Sequence, residues 1–155
     1  MELPERNIGF LLHDVARLMR KRFEQNARGL GLTRWQCQVL AHLARNEGIQ
    51  QSALADILEV EPITLTRILN RLEEAALVER RNHPTDRRIR LLHLTKTAHP
   101  LLGDIFTIGA ATRSEALEGV PEAERDRLFA ILSAMKSNLL TKSAADNGER
   151  RASNG

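Results

Sequence analysis

Two clusters of side chains in this chain could do chemistry, and both suit a polyanionic partner. After Glu61-Pro62, the residues Leu65, Ile68, Leu69, Leu72 and Ala76 recur at helical spacing and predict a helix with one buried stripe. Thr66, Arg67, Asn70 and Arg71 fall mainly on the other side, with Thr64 in the first turns. Hydroxyl, amide and guanidinium groups on one exposed face are what major-groove base edges and phosphates accept, and an arginine can bridge guanine through two hydrogen bonds. A polar helix face is more often plain solvated surface, so the segment behind it decides. From Arg80 to Lys96 six basic residues (Arg80, Arg81, Arg87, Arg88, Arg90, Lys96) stand against one acid, Asp86, far denser than the whole-chain net charge of +3. The turn formers Asn82-His83-Pro84-Thr85-Asp86 lie between Leu77-Val78 and Ile89 to Leu94, which read as short strands. A hairpin with such a tip can lie along a phosphate backbone and push one guanidinium into the minor groove.

The elements that must hold these residues follow one another without interruption from Leu54 to Thr95: a short helical pattern, a turn, the helix opening at Glu61-Pro62, and the basic hairpin. That order is a winged helix-turn-helix, expected over about residues 32–97. Ahead of it Ile8, Leu11, Leu12, Val15, Met19 and Phe23 mark a first helix, whose apolar arc Phe10 and Leu18 widen beyond one contact surface. Behind it Leu101, Leu102, Ile105 and Ile108 mark a long helix after Pro100. Gly119-Val120-Pro121 breaks that helix from a last one marked by Leu128, Ile131, Leu132, Met135 and Leu139. The expected fold is mainly α with a small β-hairpin wing, in one domain over residues 1–142. Helices at about 7–30 and 98–142 would pair with a second copy, and 143–155 would form a disordered tail. Such a homodimer would set two recognition helices about 34 Å apart, on the two halves of a pseudo-palindromic site in double-stranded DNA.

At this point the chain resembles the MarR family, the multiple antibiotic resistance regulators of bacteria and archaea. The matching text is Leu32-Thr33 with Gln36, Val39 and Leu40; Glu61-Pro62 with Thr64, Thr66 and Arg67; Leu72-Glu73 and Leu77-Val78; and above all Asp86-Arg87-Arg88 followed by Leu94-Thr95. The resemblance covers roughly Ile8 to Leu140. It implies that Arg88 enters the minor groove, that Asp86 orients it, and that Arg87 meets phosphate. It also implies a transcription regulator, a repressor released when a small aromatic or anionic ligand binds between the dimerising helices and the winged unit. His13 and Arg17, one helical turn apart, could face a carboxylate there, with Trp35 stacking on a ring and Phe106 closing the side. One departure concerns the residue before Leu77-Val78, where the family often has glycine and this chain has Ala76. Alanine in a left-handed helix-ending position costs roughly 1 kcal/mol.

Composition bounds the alternatives. A chain of 155 residues with 42% hydrophobic content can bury a real core. No apolar run approaches a membrane span, and the start, Met-Glu-Leu-Pro-Glu-Arg, lacks the regions of a signal peptide; a cytoplasmic protein with no membrane partner is expected. One cysteine, Cys37, excludes an intrachain disulfide framework and reads as a small buried hydrophobe. No phosphate loop, nucleophile elbow or metal-ligand spacing is present, so neither an enzyme, a cofactor nor a metal site is expected. Two other readings stay open: a winged-helix module whose basic face meets an acidic protein, and a regulator responding to redox state or metal through Cys37 or the His83, His93 and His99 group.

Overall fold

The computed structural model describes residues 6–153. In chain order the elements are α1 (Ile8–Asn26), a 3-10 turn (Arg28–Leu30), α2 (Arg34–Arg45), α3 (Gln51–Leu58), α4 (Pro62–Glu74), β1 (Val78–Asn82), β2 (Arg90–Leu94), α5 (Ala98–Ala116) and α6 (Glu122–Ser153). The fold is therefore mainly helical with a two-stranded antiparallel hairpin, as the sequence predicts. α5 starts two residues before Pro100, which the first turn tolerates because no intrahelical partner awaits its missing N–H.

Local chemistry explains where the helices begin and end. Thr33 opens α2 with a reciprocal capping box: its hydroxyl accepts from the Gln36 amide at 3.2 Å, and the Gln36 side chain accepts from the Thr33 amide at 3.0 Å. α3 is stopped by Glu59 in the left-handed region, at φ 52°, which turns the chain sharply into α4 with Pro62 in its first turn. α4 ends the same way. Ala76 takes φ 58°, and the Leu77 amide reaches back to the Leu72 carbonyl at 2.9 Å. Ala76 is thus exposed rather than part of the buried stripe assigned to it from the sequence; Leu77, one position on, fills the apolar place.

The core lies beneath the helix-turn-helix. Val39, Leu40, Leu43, Leu54, Leu65, Leu69, Leu72 and Leu92 are fully enclosed, so α2, α3, α4 and β2 share one apolar interior. Each leucine contributes about 1.5–3 kcal/mol by leaving water. The hairpin pairs Val78 with Leu94 through Asn82 with Arg90. Its base is stitched to the segment before α3, where the Leu92 amide donates to the Ile49 carbonyl at 2.9 Å and Gln50 bridges Leu91. α1 is joined to α5 by polar bonds: Arg22 Nε lies 2.6 Å from Glu115 Oε2, and Asn26 Nδ2 donates to Thr112 Oγ1 at 3.1 Å. The guanidinium holds the Glu115 carboxyl below its usual range. α1 has no buried residue, and Ile8, Phe10, Leu11, Val15 and Leu18 are exposed.

The chain divides into two compact units, Met1–Ala116 and Leu117–Gly155. The boundary falls where Gly119 takes φ 79° in the turn before Pro121. Within the second unit Arg125 Nε donates to the Val120 carbonyl at 2.7 Å and Nη2 to that of Leu117 at 2.8 Å, closing the turn. Glu122 and Glu124 occupy the positive end of α6. α6 then runs through Ser153, so within the segment 143–155, expected as a disordered tail, 154 and 155 lie outside the described residues and residues 143–153 are helical. Their composition allows it: Ala144 and Ala145 are strong helix formers, Asp146 stands four residues before Arg150, and Arg150 and Arg151 suit the negative end.

Candidate nucleic-acid interface and adjoining cavity

Burial of Leu65, Leu69 and Leu72 fixes which face of α4 meets solvent. Pro62, Ile63, Thr64, Arg67, Asn70 and Arg71 are exposed on it. Ile63 and Arg67, four residues apart, stand one above the other near the middle of that face. The α4 cap, Glu61, makes no side-chain bond to the first turn, so the Ile63 and Thr64 amides remain outward-facing donors at the positive end of the helix. Arg67 and Arg71 form no ion pair among the described residues.

Two residues expected on this face, half-buried Thr66 and exposed Asn70, hydrogen-bond to neighbouring elements of the protein. The Thr66 hydroxyl donates to the Pro62 carbonyl at 3.0 Å and accepts from Gln51 Nε2 at 2.9 Å. Asn70 Oδ1 accepts from Arg80 Nη2 at 2.9 Å, leaving the amide N–H groups of Asn70 as its outward donors. Periodicity placed both residues opposite the leucines, but it could not show that α3 and β1 close over that flank. The same closure turns Arg80 inward, so one of the six basic residues of the hairpin is not part of its outer charge. Arg81 is offset by Glu79, its ion-pair partner two residues back.

At the wing tip the geometry is local and specific. Asp86 Oδ1 accepts from the Arg88 amide at 3.0 Å and from Arg88 Nε at 3.2 Å, while Oδ2 accepts from Nη2 at 3.3 Å. Those bonds to Arg88 hold the Asp86 carboxyl below its ordinary range. The Arg88 side chain is nonetheless 91% exposed, a guanidinium held in one direction yet open to a ligand. The turn beneath it is organised by His83, whose Nδ1 accepts from the amides of Thr85 and Asp86, both at 3.2 Å. Arg87 and Arg90 are exposed beside it.

A cavity of about 350 Å³ opens between α1, α2 and α5. Phe23, Ile105 and Phe106 give it apolar walls, and Arg20, Arg34, Arg45 and Arg113 line it without any carboxylate. Of the four residues expected at a ligand site, Phe106 is there. His13 and Arg17 are exposed elsewhere on α1, Arg17 facing Asp14 at 3.6 Å, and Trp35 carries the Arg34 guanidinium over its ring at 5.1 Å. His13 and Arg17 share a helix face, and neither lines this cavity. His42 also lines the cavity; burial first, and Arg45 second, lower its pKa, which favours the neutral ring. Cys37 lies at the cavity wall, 2% exposed, and burial pushes its thiol up, away from the reactive thiolate.

These elements in this order define a winged helix-turn-helix protein. A sequence profile described as MarR family matches residues 30–89, from the turn before α2 to the wing tip. The fold is similar to wild-type MarR from E. coli in its apo form, with 25% identity, 86% of this chain and 98% of that chain covered, and a TM-score of 0.76. It is similar to a mutant E. coli MarR complexed with operator DNA, with 26% identity, coverage of 83% and 92%, and a TM-score of 0.70. A putative MarR family regulator from Listeria monocytogenes complexed with 26mer DNA gives 26% identity, coverage of 86% and 89%, and a TM-score of 0.76. Residues 30–89 thus carry the MarR family pattern, within a fold similar to that of MarR-family winged helix-turn-helix transcription regulators.

Proposed function

We propose that this protein is a homodimeric, sequence-specific DNA-binding regulator, a cytoplasmic repressor that leaves its operator when a small anionic ligand occupies the cavity. The observation that carries the reading is the pairing of an exposed α4 face bearing Arg67 and Arg71 with a wing arginine, Arg88, clamped by Asp86 yet almost fully exposed. Similar proteins complexed with operator DNA and with 26mer DNA support it. Exposed apolar side chains on α1 and, in the second unit, Leu128, Phe129, Ile131, Leu132, Leu139 and Leu140 on α6 support pairing with a second copy. Four arginines lining a cavity that also has two phenylalanine walls support an anionic, ring-bearing ligand.

The test is selection of binding sites from random duplex DNA, followed by salt titration of the enriched duplex. The expected result is a pseudo-palindrome with half-sites about one helical turn apart. Its log Kd should change with log salt by about 0.9 for each phosphate contacted. Absence of any enriched sequence would overturn the reading and leave the basic face for an acidic protein.

A further inference from the structure

Arg80 stands apart from the other arginines of the hairpin. It springs from the middle of β1, opposite Leu92, and its side chain is only 14% exposed. Its guanidinium spans a corner between three elements. Nε points to Gln51 Oε1 of α3 at 3.4 Å. Nη2 donates to Asn70 Oδ1 at 2.9 Å and lies 3.4 Å from the Thr66 carbonyl; Nη1 pairs with Glu73 Oε2 at 3.4 Å. Residues 66, 70 and 73 run along two turns of one flank of α4, so the planar fork grips the helix at several heights. Gln51 completes the lattice by donating to the Thr66 hydroxyl. Among the described residues, no other side chain of the hairpin hydrogen-bonds to α4.

We propose that Arg80 is a positioning residue: it fixes the wing at one angle and distance from α4, so that Arg67 on the helix and Arg88 on the wing tip meet DNA as one rigid reader. The inference rests on the DNA-binding function proposed above and deepens it. Two contacts on a rigid frame reinforce each other, because docking the first places the second without a further ordering cost. With the frame loosened, each contact has to be ordered separately. Thr66 and Asn70 belong to the frame through the Thr66 hydroxyl, which accepts from Gln51, and Asn70 Oδ1, which accepts from Arg80.

A double-mutant cycle on the duplex enriched by the wild-type protein tests this. Arg88→Ala should weaken binding roughly ten-fold or more in the wild-type background, and by about two-fold at most when Arg80 is replaced by Met. Arg80→Met should leave the salt slope unchanged, since Arg80 neutralises no phosphate, and Arg80→Lys should recover only part of the coupling. Gln51→Met removes one acceptor while leaving the arginine in place, so it keeps the test open if Arg80→Met fails to fold; it should shrink the Arg88→Ala effect in the same direction. Residual dipolar couplings of the free protein report the wing's orientation against α4 without DNA and should spread in the Arg80→Met or Gln51→Met variants. An Arg88→Ala loss of the same size in every background would overturn the proposal. Failure of the wild-type protein to bind any duplex would instead remove the proposed function, and unaltered dipolar couplings would then show that Arg80 does not position the wing.

Discussion

The pairing of Asp86 with Arg88 is the one the family resemblance implies, and it is local: the two stand two residues apart in one turn. Arg88→Ala should cost about 1–3 kcal/mol of DNA affinity by anisotropy at fixed salt, with fold and dimer intact, because a wing tip carries little core. Asp86→Ala should cost less, since the guanidinium survives and loses only its orientation. With its pKa lowered, Asp86 holds the clamp fully above the ordinary carboxylate range and releases it as pH falls through the lowered value. On α4, Arg67 lies in the second turn, where a helix entering by its N-terminus touches bases, and Arg71 lies one turn further toward phosphate. Arg67→Ala should therefore lower affinity and flatten the difference between the enriched duplex and single-mismatch duplexes, whereas Arg71→Ala should weaken all of them alike; matching profiles would refute the division. Thr66, Asn70 and Arg80 could not be assigned from spacing. Their partners sit on other elements, and the period of one helix does not reveal which polar flank a strand will cover.

The helix-turn-helix and hairpin were readable at the scale of elements because local signals agree with the apolar period: a capping box at Thr33, Pro62 in the first turn of α4, and turn formers between the strands. Ala76 is where sequence and geometry disagree. Its φ of 58° serves a glycine better, so Ala76→Gly should raise stability by up to about 1 kcal/mol, read as a higher urea midpoint with unchanged slope. A lower midpoint would mean that the gain in unfolded-chain entropy outweighs the relieved strain. Composition and geometry diverge again at the end of α6. Polar composition with Asn147-Gly148 suggested disorder, while alanine and charge order favour continuing the helix.

For the whole molecule, the exposed apolar faces of α1 and α6 could be anticipated, since their side chains outnumber what neighbouring segments can cover. The cavity residues could not, because Arg20, Arg34, Arg45 and Arg113 converge only once α1, α2 and α5 are packed. If an aromatic carboxylate binds there and releases DNA, coupling is reciprocal, so calorimetry should show its affinity falling on saturation with DNA by the factor by which it weakens DNA binding. Arg113→Ala should weaken the carboxylate and spare DNA binding in its absence. Equal carboxylate affinity with and without DNA would refute the switch. The central claim, that α4 reads the major groove while the wing enters the minor groove, is tested most directly by methylation interference on the enriched duplex, which probes guanine N7 in the major groove and adenine N3 in the minor groove together. Two patches of guanine interference about one helical turn apart are expected, each with neighbouring adenine interference that disappears in Arg88→Ala. Interference confined to one groove, or adenine interference that persists without Arg88, would contradict that claim.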